Sequence, residues 1–283
     1  MIKSGITQSI RNCIGSAING VAASTPGLVA PTYLKDLNFD SYTAGQAVTG
    51  ANGFDSAVNS GSTTSLASTT QSVSSPNSAA FTIAQTAEFW GAEFVFLIGP
   101  DGGDGTLQDG DEFWVQFKVF HPTGWDNDTN GDGGTKFFRY RTETSGEVPQ
   151  RVATFQLRGA STITGLRTEL EGQVPDDVDI TQAGFGGFAL NQWNTFEFYI
   201  NLSETTGTIR SWCNHLPAGE VTGINTIGTL ANVKFFRLML LNFWNNGAPA
   251  TQTLYIDDFR VANSDTDSPV NTDSNGDIFI GNV

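Results

Sequence analysis

From residue 192 to residue 215 the chain alternates between apolar and polar positions with a period of two. Phe196, Phe198, Ile200 and Leu202 fall on one side, and Trp193, Thr195, Glu197, Tyr199 and Asn201 on the other. This is the pattern of a strand that covers a core with one face. Residues 208–213 alternate in the same way, and the polar, glycine-containing segment 203–207 between them is of the kind that closes a hairpin. Other stretches read as strands by the same rule: residues 34–42, 78–85, 87–99, 112–120, 154–159 and 166–172. In 136–142, Lys136, Phe138 and Tyr140 alternate with Phe137, Arg139 and Arg141. Residues 233–246 form a strongly apolar strand suited only to a sandwich core, and residues 253–263 close the sheet. There the adjacent Asp257 and Asp258 are expected on opposite faces, which makes them a poor catalytic pair. Segment 46–77, rich in Ser, Thr, Gly and Asn, reads equally as a loop or as short surface strands.

The two ends differ in character. Ile2, Ile6, Ile10, Ile14 and Ile18 recur every four residues and predict a short helix with one apolar stripe. Gly5, Gly15 and Gly20 weaken it, so it should order only when packed. A helix laid over its own sandwich remains one reading. The reading preferred here is docking onto another chain. The predicted organisation is a docking helix and linker in 1–33, a β domain in 34–263 and a C-terminal extension in 264–283. The extension is polar and acidic but ends on the apolar Ile278, Phe279 and Ile280, and is expected to pack against something, a neighbouring subunit being one choice.

Composition narrows this picture. With 283 residues, 32 glycines and 21 phenylalanines, the chain suits one large all-β domain with tails. A net charge of −15 argues against non-specific binding to nucleic acid or an anionic membrane surface. Within that acidic chain, Lys136, Arg139, Arg141, Arg151, Arg158 and Arg167 cluster in one stretch. No apolar run approaches the roughly 20 residues that span a bilayer, and polar residues interrupt the N-terminus where a secretory signal would need an apolar centre. The two cysteines, Cys13 and Cys213, are expected to be free thiols, with a disulfide left open. Two histidines, His121 and His215, are too few for a histidine-ligated metal site.

Two acidic loops raise calcium as a candidate cofactor. Asp126, Asp128, Asn130 and Asp132 place oxygen ligands at alternate positions around Gly131, and Asp273, Asn275 and Asp277 repeat part of the pattern. The first is no EF-hand, because Phe137 stands where the bidentate glutamate would be. Asp, Asn and Gly are also simply the commonest turn residues.

The Trp193-x-x-x-Glu197-x-Tyr199 strand, the glycine turn and the second strand with Trp212 near its end resemble concanavalin-like jelly rolls, notably those of polysaccharide lyases and related carbohydrate-binding proteins. The resemblance extends to 113–125 with 133–142, and to 254–263. It implies a jelly-roll β-sandwich with a short N-terminal helix and a C-terminal extension. It implies saccharide contacts along the central strands, with Lys136, Arg139, Arg141, Arg158, Tyr199 and Trp212 as candidate glycan-binding residues. It also implies a structural calcium between the first and last strands, near Asp40 and Asp258. A uronate lyase needs groups that neutralise a carboxylate, a base for the C5 proton and an acid for the leaving oxygen. Lys136, His121, Tyr140, Arg139, Arg141, Gln156, Arg158 and Tyr199 include such types, and Arg139, Arg141, Gln156, Arg158 and Tyr199 are the catalytic candidates. The family's Gln-Ile-His motif is absent, its nearest match being Gln156-Leu157-Arg158, and Arg167-Thr168-Glu169-Leu170 is only superficially similar to the Arg-x-Glu-Leu strand. The expectation is therefore a non-enzymatic virion structural protein of tailed-phage type, decorating a capsid or building a fibre at the virion surface. Its partners would be other virion proteins or identical subunits, with surface polysaccharide as a ligand. The alternatives are a polysaccharide lyase acting on a uronic acid polymer and a secreted lectin-like module.

Overall fold

The computed structural model describes residues 33–74, 76–88, 91–97, 109–127, 134–159, 165–172, 179–183, 188–263, 269 and 271–281. By its internal contacts the chain divides into Met1–Ala30 and Pro31–Val283, and every described residue belongs to the second unit. The isoleucine stripe at Ile2, Ile6, Ile10, Ile14 and Ile18 lies outside the described residues, as do Cys13 and the loop residues Asp128, Asn130 and Asp132.

Seventeen strands are described: β1 (Lys35–Leu37), β2 (Ser56–Ala57), β3 (Thr63–Ser68), β4 (Ser78–Ile83), β5 (Ala92–Leu97), β6 (Glu112–Phe120), β7 (Lys136–Glu143), β8 (Pro149–Arg158), β9 (Gly165–Gly172), β10 (Asp179–Ala183), β11 (Trp193–Asn201), β12 (Gly207–Cys213), β13 (Leu216–Ile224), β14 (Phe235–Phe243), β15 (Gln252–Asn263), β16 (Asn271–Thr272) and β17 (Ile278–Phe279). One eight-stranded sheet runs β13-β12-β11-β6-β15-β4-β3, with β1 also paired to β15. A seven-stranded sheet runs β10-β9-β8-β7-β14-β5-β2, and β16-β17 is a separate hairpin. Pairing between these strands is antiparallel, and they form a jelly-roll-like β-sandwich. Segment 46–77 holds the short strands β2 and β3 rather than one long loop.

The alternation that predicted the strands also builds the core. Phe196, Phe198 and Ile200 of β11 are fully buried beside Phe117 of β6. They meet the other sheet where Phe198 lies 4.5 Å from Phe138 and 4.3 Å from Phe155 between ring centroids. These aromatic contacts add to an area term of roughly 1.5–3 kcal/mol for each buried apolar side chain.

Two irregularities redirect side chains. In β7 the register against β8 slips between Lys136 and Phe138, so Phe137 and Phe138 both face the core. Such a bulge inserts one extra residue and shifts the alternation. Lys136 therefore shares a face with Arg139 and Arg141, not with Phe138 and Tyr140 as strict alternation predicted. In β15 the register against β6 slips between Asp257 and Arg260, and Asp258 takes a left-handed φ of 47°. Asp257 pairs with Lys118 in register while Asp258 forms a 2.6 Å ion pair with the same lysine. The expected opposition of the two aspartates is thus replaced by a bulge.

The C-terminal extension packs on its own chain. Phe279 stacks on Trp212 at 5.9 Å, Trp114 Nε1 donates to the Ile278 carbonyl at 3.1 Å, and Trp212 Nε1 donates to the Asp273 carboxylate at 2.7 Å. Glu197, 2% exposed, accepts the backbone N–H groups of Ile280 and Gly281 at 2.9 and 3.2 Å. The receiver is the outer face of the eight-stranded sheet.

Candidate functional site

On the outer face of the seven-stranded sheet the register aligns chemistry in rows. One row reads Phe243, Lys136, Gln156, Arg167 across β14, β7, β8 and β9. The next reads Met239, Arg139, Thr154, Glu169, and a third reads Arg237, Arg141, Val152, Glu171. Five of the sequence-nominated residues, Lys136, Arg139, Arg141, Gln156 and Arg158, lie on this face. Met239, Leu241 and Phe243 of β14 form an apolar strip beside them.

The cations are largely withdrawn from water. Lys136 and Arg139 are each 7% exposed. Lys136 Nζ sits 5.5 Å from the centre of the Phe243 ring, and Arg139 Nε donates to Thr154 Oγ1 at 2.9 Å. Burial, and then the neighbouring Arg139 charge, push the Lys136 ammonium below the ordinary lysine value, against an opposing pull from Glu169 and Glu171. Burial likewise lowers Arg139 to about 10, with Glu171 opposing. Gln156 Nε2 donates to Glu169 Oε2 at 2.6 Å, and the other oxygen of Glu169 meets Arg167 at 3.4 Å.

Arg141 stands at the far end of the face in a charge network. It pairs with the buried Glu143, which also receives Arg237 Nε at 2.9 Å, while Arg237 reaches Glu93 at 3.0 Å. Arg158 ends β8 opposite Gly165. Tyr199 and Trp212 are elsewhere: they belong to the outer face of the eight-stranded sheet, packed with Trp114, Phe279 and Ile280. Tyr199 donates to Glu112 there. The structure therefore does not bring these two together with Lys136 and Arg139, because the faces are separated by the core. None of the chain's five tyrosines or two histidines lies on the Lys136 face: Tyr140 and His121 are buried inward, and Tyr33, Tyr199, Tyr255 and His215 lie on the eight-stranded sheet's outer side, with Tyr42 against the Thr49 carbonyl.

The expected calcium ligands separate into fitting and non-fitting groups. Asp258 is committed to Lys118, and Asp273 to its own turn. Burial alone would raise the Asp273 carboxyl, but hydrogen bonds from Trp212 and from the backbone of Asp277, Asn275 and Gly276 outweigh it and hold it low. Asp126 uses its backbone to pair with the Gln252 amide. Among the described residues no three of His, Cys, Asp and Glu group as a metal site. Asp40 and Asp257 are nevertheless close enough to interact electrostatically, and Asp40 Oδ1 accepts the Asn77 N–H at 3.4 Å. The side-chain oxygen of the buried Asn77 has no partner. Two carboxylates and an unpaired amide oxygen are the hard donors that calcium takes. Burial raises Asp257 to about 7, with hydrogen bonds from Val73 and Asp258 opposing.

Neither a protein-family model nor a curated protein sequence matches the chain. Solved structures do. The endo-β-1,4-glucuronan lyase of the fungus Trichoderma reesei superposes with a TM-score of 0.56 at 12% identity, over 79% of this chain and 95% of that one. The chain shares its fold with polysaccharide lyases. The alginate lyase Aly36B gives 0.54 at 14% identity over 80% and 95%, and a variant of it in complex with an alginate trisaccharide gives 0.55 at 13% over 80% and 96%. None of these likenesses supports a virion role.

Sequence reading found Lys136 and the arginines by type, met Glu169 only within a superficial motif match, assigned the whole of 233–246 to the core, and passed over Thr154. Period two in 166–172 already put Arg167, Glu169 and Glu171 on one side. The placement of Lys136 depended on the bulge, which no residue pattern announces.

Proposed function

We propose that the protein is a polysaccharide lyase acting on a uronic acid polymer at the outer face of the seven-stranded sheet. The observation that carries this reading is the buried Lys136, set beside Arg139 and Gln156 on a sheet shared with uronate lyases. In β-elimination the C5–H and C4–O4 bonds break, a C4=C5 double bond forms, and the leaving oxygen takes a proton. Arg139 is the cation suited to neutralise the substrate carboxylate, which acidifies C5–H. Lys136, its ammonium destabilised by burial, is the base. With no tyrosine or histidine on this face, the same lysine returns the proton to O4, which requires base and leaving oxygen on one side of the sugar ring. The departures from the Gln-Ile-His motif then mark a different proton carrier rather than a lost activity.

The decisive assay is the absorbance of unsaturated uronate ends released from glucuronan and alginate. The full-length chain should release them and Lys136→Ala should not, while Lys136→Ala keeps the melting temperature within a few degrees. An active Lys136→Ala, or no release from any polyuronate, sinks the reading. A structural calcium held by Asp40, Asp257 and the Asn77 side-chain oxygen belongs to the same proposal; it would tie β15 to the segment after β1 and supplies no step of the chemistry.

A further inference from the structure

The amide of Gln156 has one orientation available to it. Its Nε2 donates to Glu169 Oε2 at 2.6 Å, and turning the amide over would set its oxygen against a carboxylate, acceptor facing acceptor. Glu169 is itself held from a second side by Arg167. With one Nε2 hydrogen engaged and the amide orientation fixed, the polar atom of Gln156 left without a partner is Oε1. That oxygen is buried in a residue 2% exposed, and no donor of the protein reaches it. A buried acceptor left unpaired is destabilising. Its register partner on β7 is Lys136, so the unpaired oxygen stands beside the group assigned to the chemistry and points to a donor that arrives with the ligand.

We infer that Gln156 reads a ring hydroxyl of the substrate, accepting its hydrogen through Oε1, and that Glu169 is the positioning residue that enforces this. The inference rests on the reading of this face as a uronate-polymer site and deepens it. The Oε1 contact is then not one to the substrate carboxylate, since a carboxylate brings acceptors only. That task stays with Arg139. Glu169 has a second consequence: it offsets part of the positive charge around Lys136 and Arg139, so the face favours a sugar that presents a hydroxyl as well as an acid over a bare polyanion.

Two measurements test this. In the free full-length chain, the Gln156 side-chain amide resonances should move strongly in Glu169→Ala; resonances that stay put would show that Glu169 does not hold the amide. For ligand, the probes are an alginate oligosaccharide and its 2-deoxy and 3-deoxy analogues, titrated against Lys136→Ala so that nothing is consumed. One deoxy analogue should bind about tenfold more weakly than the parent, and Gln156→Ala added to that background should bring the two affinities together. Equal affinities before the second substitution, or a ratio that survives it, would overturn the inference, and so would absence of binding by all three. Release of unsaturated ends by the unsubstituted chain is scored separately. Discrimination without release leaves the hydroxyl contact standing and removes the lyase; release without discrimination does the reverse.

Discussion

His121 lies in the core with neither ring nitrogen hydrogen-bonded, packed edge-on to Trp125 at 4.6 Å. Burial lowers its pKa from 6.5 to about 3. The unfolded chain therefore takes up a proton near pH 6.5 that the folded chain refuses until about pH 3. The stability associated with His121 is present above pH 6.5 and is lost as pH falls through this window, by roughly 1.4 kcal/mol for each unit of separation. Asp257, raised to about 7 by burial, acts in the opposite sense, its contribution being full below pH 3.8 and lost as pH rises towards 7. The two slopes are separated by substitution. Urea midpoints of His121→Phe should fall less between pH 6.5 and pH 4 than those of the unsubstituted chain, and parallel curves would show that His121 is not the titrating group. Nothing in the sequence marked His121 as a buried neutral imidazole: Trp125 lies only four residues away, but Phe188 reaches it from far along the chain. Lys136 and Arg139 were visible as residue types, whereas their burial, on which the proposed base role of the lysine rests, exists only after the sheets close.

At the scale of elements, the strands that alternate were legible and those that slip were not. β11 and β12 match their predicted faces residue by residue, with Phe196, Phe198 and Ile200 inward and Glu197 and Tyr199 outward. β7 and β15 each carry a bulge, and both candidate ligand sets depend on one. For β15 the consequence is measurable: if calcium sits at Asp40, Asp257 and Asn77, adding it should raise the melting temperature, and Asp257→Asn should abolish the rise. Equal melting with calcium and with chelator would remove the ion. The hairpin β16-β17 gives a second prediction. Deleting residues 269–283 uncovers Trp114, Tyr199 and Trp212 and takes two N–H donors from the buried Glu197. Losing the burial of Phe279 and Ile280 alone should cost about 3–6 kcal/mol, with tryptophan emission shifted to the red. A truncated chain as stable as the parent would mean that the hairpin is not docked in solution. The apolar ending of the extension was readable in sequence; its partner was not, since nothing local distinguishes a strand's own sheet from a neighbour's.

The whole molecule was the most legible scale, because a jelly-roll-like sandwich follows from alternation repeated along most of the chain, and pattern survives where identity does not. What it left open is how much of the chain the fold needs. Among the described residues the main core runs from Leu37 to Val261, and the first described strand begins at Lys35. Residues 1–24 fall in the other compact unit, Met1–Ala30. Those residues carry Ile2, Ile6, Ile10, Ile14 and Ile18, and burying each would contribute about 1.5–3 kcal/mol, against glycine penalties of about 1 kcal/mol each. The balance favours an ordered helix only where an apolar surface receives it. If the helix docks onto another chain, removing residues 1–24 should leave the melting temperature and the proposed polyuronate activity nearly unchanged, while the mass in solution falls if the receiver was a second copy. Mass and melting by light scattering and calorimetry distinguish the outcomes. A fall in melting temperature of more than about 5 °C, corresponding to more than about 1–2 kcal/mol in a chain of this size, would assign the stripe to its own sandwich and reject docking onto another chain.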